Sequence, residues 1–264
     1  MPAVIGHRGA AGRAPENTLA GFRCAKSLGC DWIEFDVRLT ADRALIVCHD
    51  SRLDRTTDTT GRIATMTLPA VRQSDAGASF DAKFAGELIP TLEEALALAD
   101  EIGLGANIEI KADRGLARAT AAAVAEMLTR LGGRHAPVLV SSFLRPALAT
   151  MKDLAPLVPR GLLLRRFPLR WAGLASRLGC ASLHLDHRSL HPGLVASVRR
   201  AGYPLLAYTV NDPARARLLF NWGVTSVFSD VPDIILDAMA EKLPRSASSG
   251  AEPMARVSLQ GAME

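Results

Sequence analysis

The feature that most constrains the fold of this chain is a regular alternation of short apolar runs with amphipathic segments. Such alternation is typical of repeated βα units whose strands form a parallel sheet. Eight apolar runs are predicted as strands, at residues 3–7, 32–38, 106–111, 137–141, 161–164, 182–186, 205–210 and 226–229. Eight helical segments are predicted at residues 19–28, 92–102, 116–131, 146–154, 169–178, 192–201, 213–222 and 233–242. The pattern therefore predicts an α/β protein with a (β/α)8 TIM barrel.

The alternation is interrupted between about residues 40 and 90, where a short extra strand at 44–48 precedes a turn-rich polar stretch. We interpret this stretch as a small insertion after the second strand, at the carboxyl end of the barrel where active sites lie. The length of 264 residues suits one barrel domain, predicted at residues 1–243. Residues 244–264, rich in Ser, Gly, Ala and Pro, are predicted to be a disordered tail.

Composition argues against several classes of protein. The net charge of +4 comes from scattered Lys and Arg, so no nucleic-acid partner is expected, and Arg165, Arg166 and Arg170 are interpreted as a solvated rim. No stretch approaches the length of a membrane span, and the amino terminus lacks the pattern of a signal peptide. The four cysteines show neither metal-ligand spacing nor the density of a disulfide scaffold. These features predict a soluble cytoplasmic protein without a membrane partner.

The first candidate catalytic and phosphate-binding residues lie at the end of the first predicted strand, in His7-Arg8-Gly9. The guanidinium of Arg8 can hold phosphate oxygens with a fixed fork of donors, and His7 can exchange a proton near neutral pH. A second imidazole, His49, follows the extra strand of the insertion, which could carry it over the barrel mouth. Two histidines beside one phosphate can supply the acid and the base for cleavage of a phosphodiester.

Carboxylates occur two residues apart on the second strand, at Glu34 and Asp36, and so project from the same face. Glu109 and Lys111 repeat this spacing on the third strand. Taken alone, Glu34 could pair with an arginine and Asp36 could cap a loop, but acids from two neighbouring strands would repel one another without a cation. Hard oxygen ligands of this kind favour Mg²⁺ or Ca²⁺. A second metal site at His184, Asp186 and His187 is disfavoured, because no further ligand lies nearby.

The chain resembles the glycerophosphodiester phosphodiesterases, most closely the cytosolic bacterial type. The resemblance covers roughly residues 4–240. It rests on an ordered series of motifs: His7-Arg8-Gly9, Pro15-Glu16-Asn17-Thr18, Glu34-x-Asp36, His49-Asp50, Leu53-x-Arg55-Thr56-Thr57, Ile89-Pro90-Thr91-Leu92, Asn107-Ile108-Glu109-Ile110-Lys111, Ser141-Ser142-Phe143 and Tyr208-Thr209-Val210-Asn211.

The resemblance implies metal-dependent hydrolysis of glycerophosphodiesters, such as glycerophosphocholine and glycerophosphoethanolamine, to sn-glycerol 3-phosphate and an alcohol. It implies that His7 and His49 are the acid/base pair and that Glu34, Asp36 and Glu109 hold one divalent cation, Mg²⁺ or Ca²⁺. Six residues are expected to contact or support the small-molecule substrate: Arg8, Lys111, Glu16, Asn17, Phe143 and Tyr208. Asn17 could instead cap the first helix.

Three points stay open at this level. Either the glycerol 2-hydroxyl or a water could attack phosphorus, and either histidine could be the acid. The protein could be a monomer or a homodimer. Two other functions compete with the first: a headgroup hydrolase of the lysophospholipase D type, which would need an apolar groove for an acyl chain, and a non-catalytic protein that binds glycerophosphodiesters.

Overall fold

Eight parallel strands form a closed ring in the computed structural model, which describes residues 1–133 and 135–240. The described strands are β1 (Val4–His7), β2 (Trp32–Leu39), β3 (Leu45–Val47), β4 (Gly105–Ile110), β5 (Val138–Ser142), β6 (Arg160–Leu164), β7 (Ser182–Asp186), β8 (Leu205–Tyr208) and β9 (Ser226–Ser229). Because β1 pairs with both β2 and β9, the sheet has no gap, and β3 is added antiparallel to β2. The (β/α)8 barrel prediction is confirmed.

Helices follow the strands of the ring and cover its outer face. The described helices are α1 (Leu19–Ser27), α2 (Leu68–Val71), α3 (Leu92–Glu101), α4 (Ala117–Leu131), α5 (Arg145–Leu154), α6 (Trp171–Arg177), α7 (Pro192–Arg200), α8 (Pro213–Trp222) and α9 (Pro232–Ala240). Short 3₁₀ turns lie at Ile63–Thr65, Ala82–Phe84 and His187–Ser189. In this described part of the chain, no helix is long and apolar enough to cross a bilayer.

The last predicted helix and the predicted tail both extend beyond residue 240, where the described part of the chain ends. The helix expected at 233–242 is observed as α9, and its final two predicted residues lie outside the described part. The predicted tail at 244–264 also lies outside it. The disorder expected there stays a prediction.

Strand alternation determines which side chains point into the barrel. Ile33, Phe35 and Val37 of β2 pack with the helices in the main apolar core. The residues between them, Glu34 and Asp36, therefore face the barrel interior. Strand pairing places Glu34 beside Asn107 and Asp36 beside Glu109 of β4. The sheet register thus brings the acidic residues of two strands onto one interior surface.

The insertion after β2 folds against the barrel with a small apolar core of its own. β3 pairs with the end of β2, with Val47 opposite Val37, and α2 lies further along the same insertion. Its buried side chains are Ile46, Cys48, Leu53, Ile63, Val71, Ala76 and Ile89. This packing orders a polar segment that has no long periodicity in the sequence, and it positions His49 directly after β3.

Candidate active site

A cavity of about 360 Å³ opens at the carboxyl ends of the barrel strands. This volume and position are typical of small-molecule sites in (β/α)8 enzymes. The lining includes eight of the eleven predicted site residues: His7, Arg8, Glu34, His49, Glu109, Lys111, Phe143 and Tyr208. Residues that the sequence placed in one site therefore surround one cavity.

Three carboxylates converge at the base of this region. Glu34, Asp36 and Glu109 each offer an oxygen, and these oxygens lie within 4.8 Å of one another. All three residues are buried, with relative exposures of 3%, 1% and 8%. The three acids thus form one cluster, as their spacing on two adjacent strands predicted.

The electrostatics of the cluster show why it calls for positive charge. Burial and the neighbouring charges of Asp36 and Glu109 raise the pKa of Glu34 well above its usual value. Burial and the charge of Asp36 raise the pKa of Glu109 to about 7. Burial also acts to raise the pKa of Asp36, but Lys111 and Arg8 outweigh it and lower that pKa. Three ionised carboxylates at this spacing need a cation among them.

The donor set fits a divalent cation with a preference for oxygen ligands. The buried Oε1 atom of Glu34 has no hydrogen-bond partner in the described structure, and neither does Oδ1 of the neighbouring Asn107. Buried polar atoms are normally paired, so these oxygens point to a missing partner. Carboxylate and amide oxygens suit Mg²⁺ and Ca²⁺. Glu34, Asp36 and Glu109 could therefore hold a metal ion.

Arg8 lines the cavity beside the acids and has a strained backbone conformation. Its φ of 52° and that of Asn17, 59°, lie in the left-handed region, which costs energy for residues with a side chain. The backbone N–H of Arg8 donates to Glu34 Oε2 at 3.1 Å, and its Nε lies 3.4 Å from Asp36 Oδ2. Backbone strain of this kind persists where surrounding contacts hold a residue in place. Here the contacts with Glu34 and Asp36 hold Arg8 beside the carboxylates.

Asn17 and Glu16 lie behind the cavity wall, and neither is among the lining residues of the described chain. The side chain of Asn17 donates to Asp36 Oδ2 at 3.0 Å and accepts from the Asp36 backbone N–H at 3.1 Å. The alternative that Asn17 caps α1 is wrong, because the N-cap is Thr18, whose hydroxyl accepts from Gly21 N–H. Asn17 orients an acid instead of contacting the cavity.

His7, at the end of β1, is oriented by a residue from the other end of the chain. Its Nδ1 lies 2.6 Å from Asp230 Oδ1, and Asn211 donates to the second oxygen of Asp230 at 2.7 Å. Burial acts to raise the pKa of Asp230, but the hydrogen bond and charge of His7 outweigh it and lower that pKa. The carboxylate holds one ring nitrogen and leaves Nε2 for the cavity, 3.8 Å from Glu34.

His49 has a matching arrangement within the insertion. Its Nδ1 lies 2.7 Å from Asp50 Oδ1, and Arg55 holds the other oxygen of Asp50 at 2.6 Å. Arg55 also donates twice to Glu16, which accepts from Arg8. Burial lowers the pKa of His49, although the charge of Asp36 opposes the shift. Each histidine of the predicted pair is therefore oriented through Nδ1 by a carboxylate.

Phe143 and Tyr208 form the outer aromatic wall of the cavity. Their rings meet edge to face with centroids 5.9 Å apart, and the Tyr208 hydroxyl donates to the Leu164 carbonyl at 2.9 Å. Lys111 Nζ lies 5.6 Å from the Phe143 centroid and 3.4 Å from Asp36 Oδ1. Lys111 thus lies between the aromatic wall and the acids at the base of the cavity.

His184 and Asp186 do not form a second metal cluster. His184 is fully buried, bonds Ser182 through Nε2 at 3.0 Å and stacks near Phe228. Asp186 instead pairs with Arg188. Within residues 1–133 and 135–240, the only cluster of three potential ligands is Glu34, Asp36 and Glu109. His184 and Asp186 thus each contact a different residue, Ser182 and Arg188 respectively.

Several residues of the site received no role from the sequence. Asp230 and Asp50 orient the histidines, Asn211 and Arg55 hold these two aspartates respectively, and Arg188 lines the cavity. Arg165, which the sequence suggested was part of a solvated rim, lines the cavity as well. Asp50 adjoins His49, so adjacency offered a signal. Asp230 follows the last strand, which must close against the first strand in a barrel, so topology could have suggested its position.

The similarity of this chain to known proteins agrees with this geometry. A family model described as the glycerophosphoryl diester phosphodiesterase family matches residues 7–234. A glycerophosphodiester phosphodiesterase of Caldanaerobacter subterraneus is 35% identical over 234 residues, which covers 89% of this chain and 96% of the relative. A Bacillus subtilis enzyme of the same name is 32% identical, covering 88% of this chain and 84% of the relative.

Solved structures of related proteins have the same fold as this chain. The chain is 39% identical to an Oleispira antarctica phosphodiesterase solved with the product sn-glycerol-3-phosphate, with a TM-score of 0.88 and coverage of 91% and 97%. A glycerophosphodiester phosphodiesterase from Agrobacterium tumefaciens is 30% identical with a TM-score of 0.76, covering 90% of this chain and 100% of that one. The chain therefore belongs to the glycerophosphoryl diester phosphodiesterase family and is a phosphodiester hydrolase.

Proposed function

We propose that this enzyme hydrolyses glycerophosphodiesters, including glycerophosphocholine and glycerophosphoethanolamine, to sn-glycerol 3-phosphate and an alcohol. One observation carries the proposal: two carboxylate-oriented histidines and a buried triad of acids surround one small cavity. The Oleispira antarctica structure, which contains sn-glycerol-3-phosphate, supports the identity of the product.

In the proposed reaction His7 and His49 act as the acid/base pair through their Nε2 atoms. One imidazole accepts the proton of the attacking hydroxyl, from a water or the glycerol 2-hydroxyl, and the other donates a proton to the departing alcohol oxygen. Asp230 and Asp50 hold the rings and stabilise their protonated forms. Arg8 and Lys111 face the cavity and attract the phosphate oxygens.

Glu34, Asp36 and Glu109 would hold one divalent cation, Mg²⁺ or Ca²⁺. When bound, the cation supplies positive charge that polarises the phosphodiester. Arg8 and Lys111 also contact Asp36, so they reduce the negative charge of the cluster. Glu16 and Asn17 support this arrangement through Arg8 and Asp36.

The experiment measures release of sn-glycerol 3-phosphate from glycerophosphocholine and glycerophosphoethanolamine with Mg²⁺ or Ca²⁺. We expect EDTA to abolish release, and His7→Ala and His49→Ala each to lower kcat by roughly 10²- to 10⁴-fold. His135→Ala is the control, because His135 lies beside Gly132 and Pro159, away from the cavity that His7 and His49 line. Undiminished turnover after chelation would contradict the metal role, and near-normal rates in both histidine variants would contradict the mechanism.

The same preparations separate the competing functions. Faster turnover of lysophosphatidylcholine than of glycerophosphocholine would indicate a lysophospholipase D type of activity. Tight binding of glycerophosphocholine without turnover would indicate a binding protein. The charged groups that surround the cavity favour the small, deacylated substrates.

We further propose that the catalytic unit is one barrel domain, that the enzyme is cytoplasmic and a monomer or a homodimer, and that it has no nucleic-acid or membrane partner. The cysteines Cys24, Cys30, Cys48 and Cys180 are all free thiols, which suits a reducing compartment. Cell fractionation and the mass of the protein in solution test these points.

A further inference from the structure

The lining of the cavity includes two exposed arginines that the proposed chemistry does not use. Arg165 directly follows β6 and Arg188 follows β7, and both line the cavity that contains His7 and His49. In a substrate held by its phosphate at the base, the part that reaches this wall is a group attached to the phosphate. That group is glycerol or the alcohol headgroup, and two arginines suit the headgroup better, because glycerol is uncharged whereas headgroups differ in charge.

Arg165 has no carboxylate partner within residues 1–133 and 135–240. Its guanidinium carbon lies 5.6 Å from the centroid of Phe143, and Lys111 Nζ lies at the same distance from that ring. An aromatic face recognises a quaternary ammonium group by the same cation–π attraction that these side chains already use. Phe143 is therefore a poor receptor for choline.

The one acidic residue on this wall is already neutralised. In the described lining of the cavity, Asp186 is the only carboxylate besides Glu34 and Glu109. Both of its oxygens accept from Arg188, at 3.1 and 2.9 Å, and one also accepts from the Arg188 backbone N–H. Arg165 is left as the uncompensated charge, so the wall is net positive.

We propose that Arg165 and Arg188 form a headgroup subsite that favours glycerophosphodiesters whose alcohol carries an anionic group. This inference rests on the proposed function and adds a substrate class to it. A negatively charged headgroup would gain attraction to Arg165, whereas choline would meet two guanidinium groups and no free carboxylate. Ethanolamine, which carries only a positive charge, would be disfavoured for the same reason.

Glycerophosphoserine and glycerophosphoethanolamine test the subsite as a pair, because their headgroups differ by one carboxylate. For the wild type we expect a higher kcat/KM for glycerophosphoserine. Exposed charge pairs contribute modestly, so Arg165→Gln should lower the serine-to-ethanolamine ratio of kcat/KM by about two- to fivefold. We expect most of the change in KM, because the headgroup takes no part in proton transfer.

Arg188→Gln should change kcat/KM in opposite directions for cationic and anionic headgroups. It removes a positive charge and also frees Asp186, so kcat/KM should rise for glycerophosphocholine and fall for glycerophosphoserine. Arg166→Gln is the matched control, because Arg166 is an exposed neighbour that is not among the cavity-lining residues of the described chain. Its selectivity should equal that of the wild type.

Salt provides a readout that a merely structural role would not produce. Raising the ionic strength should reduce the serine-to-ethanolamine ratio in the wild type and leave that of Arg165→Gln nearly unchanged, because Arg188 stays paired with Asp186 in this variant. A wild type that prefers ethanolamine or choline, or a ratio that both arginine variants leave unaltered, would overturn the subsite alone. Failure to hydrolyse any of the three substrates would overturn the proposed function and the subsite with it.

Discussion

At the scale of single residues, the site is organised by two similar pairs, His7 with Asp230 and His49 with Asp50. In each pair the carboxylate holds Nδ1, which fixes the ring and leaves Nε2 for the cavity. A histidine that exchanges protons must present the right nitrogen to the reacting group. The pairs thus fix the orientation of two imidazoles, as the proposed proton transfers require.

Asp50→Asn tests this orientation. We expect kcat to fall by roughly 10²-fold, because the amide can hold the wrong tautomer and cannot stabilise a charged imidazole. The hydrogen bond from His49 Nδ1 to the Asp50 carboxylate acts to raise the pKa of His49. Its loss should therefore lower that pKa, and the limb of the pH–kcat profile that reports His49 should move to lower pH.

Asp54→Asn is the control for this measurement, because Asp54 lies in the same insertion and its side-chain partners among the described residues are the exposed Arg52 and the Gly61 N–H. Its kcat and pH profile should match those of the wild type. An unshifted profile in Asp50→Asn, or an equal loss of rate in Asp54→Asn, would show that Asp50 does not orient His49.

At the scale of elements, the insertion matters because it carries His49 to a barrel that contributes His7. Arg38 of β2 links the insertion to the barrel, because its Nε and Nη2 donate to the His49 carbonyl at 2.9 and 2.7 Å. The Nη1 atom of Arg38 lies 3.1 Å from Asp113, which Arg62 of the insertion also contacts. The backbone at His49 is thus held by a side chain of the barrel.

Arg38→Met removes this attachment while it keeps much of the apolar stem. We expect kcat to fall by roughly 10- to 100-fold through misplacement of His49, because small displacements of a catalytic group are costly. Arg62→Met is the matched control, because Arg62 shares the contact with Asp113 but does not touch His49. Steady-state kinetics should separate the two variants, and equal rates in them would exclude a positioning role for Arg38.

At the scale of the whole molecule, closure of the barrel concentrates negative charge on one interior surface. The three acids come from β2 and β4, and the strained loop after β1 supplies Arg8 beside them. Folding without a bound cation brings these carboxylates together out of water, which destabilises the native state. A cation held by these acids, as proposed above, should therefore stabilise the folded protein.

The free energy of unfolding should rise when Mg²⁺ or Ca²⁺ is added. A ligand at 100 times its Kd stabilises the native state by about 2.7 kcal/mol, which for a domain of this size raises Tm by roughly 5–10 °C. Glu34→Gln should abolish the shift and leave the metal-free protein at least as stable as the wild type, because one repulsive charge is gone. Thermal unfolding followed by circular dichroism measures both effects.

Glu93→Gln serves as the control, because Glu93 is exposed on α3 and pairs with Arg130 away from the acids. It should retain the full shift. A metal-dependent rise in Tm that Glu34→Gln preserves would place the cation elsewhere and would contradict the metal site without any measurement of activity.

The sequence by itself determined what local periodicity can encode. Alternating segments predicted the strands, the helices and the barrel, and two-residue spacing placed Glu34 with Asp36 on one face of β2. The family motifs singled out both histidines. These features depend on neighbours within a few residues, where strand and helix geometry ties spacing to direction.

Only the tertiary structure decided which side chains act on one another. Asp230 reaches His7 across 223 residues because β9 closes against β1, and Arg165, which the sequence suggested was a solvated rim residue, lines the cavity. Asn17 turns to Asp36 because Thr18 already caps α1. Such contacts depend on barrel closure and on the packing of an aperiodic insertion, neither of which leaves a signal in the local spacing of residues.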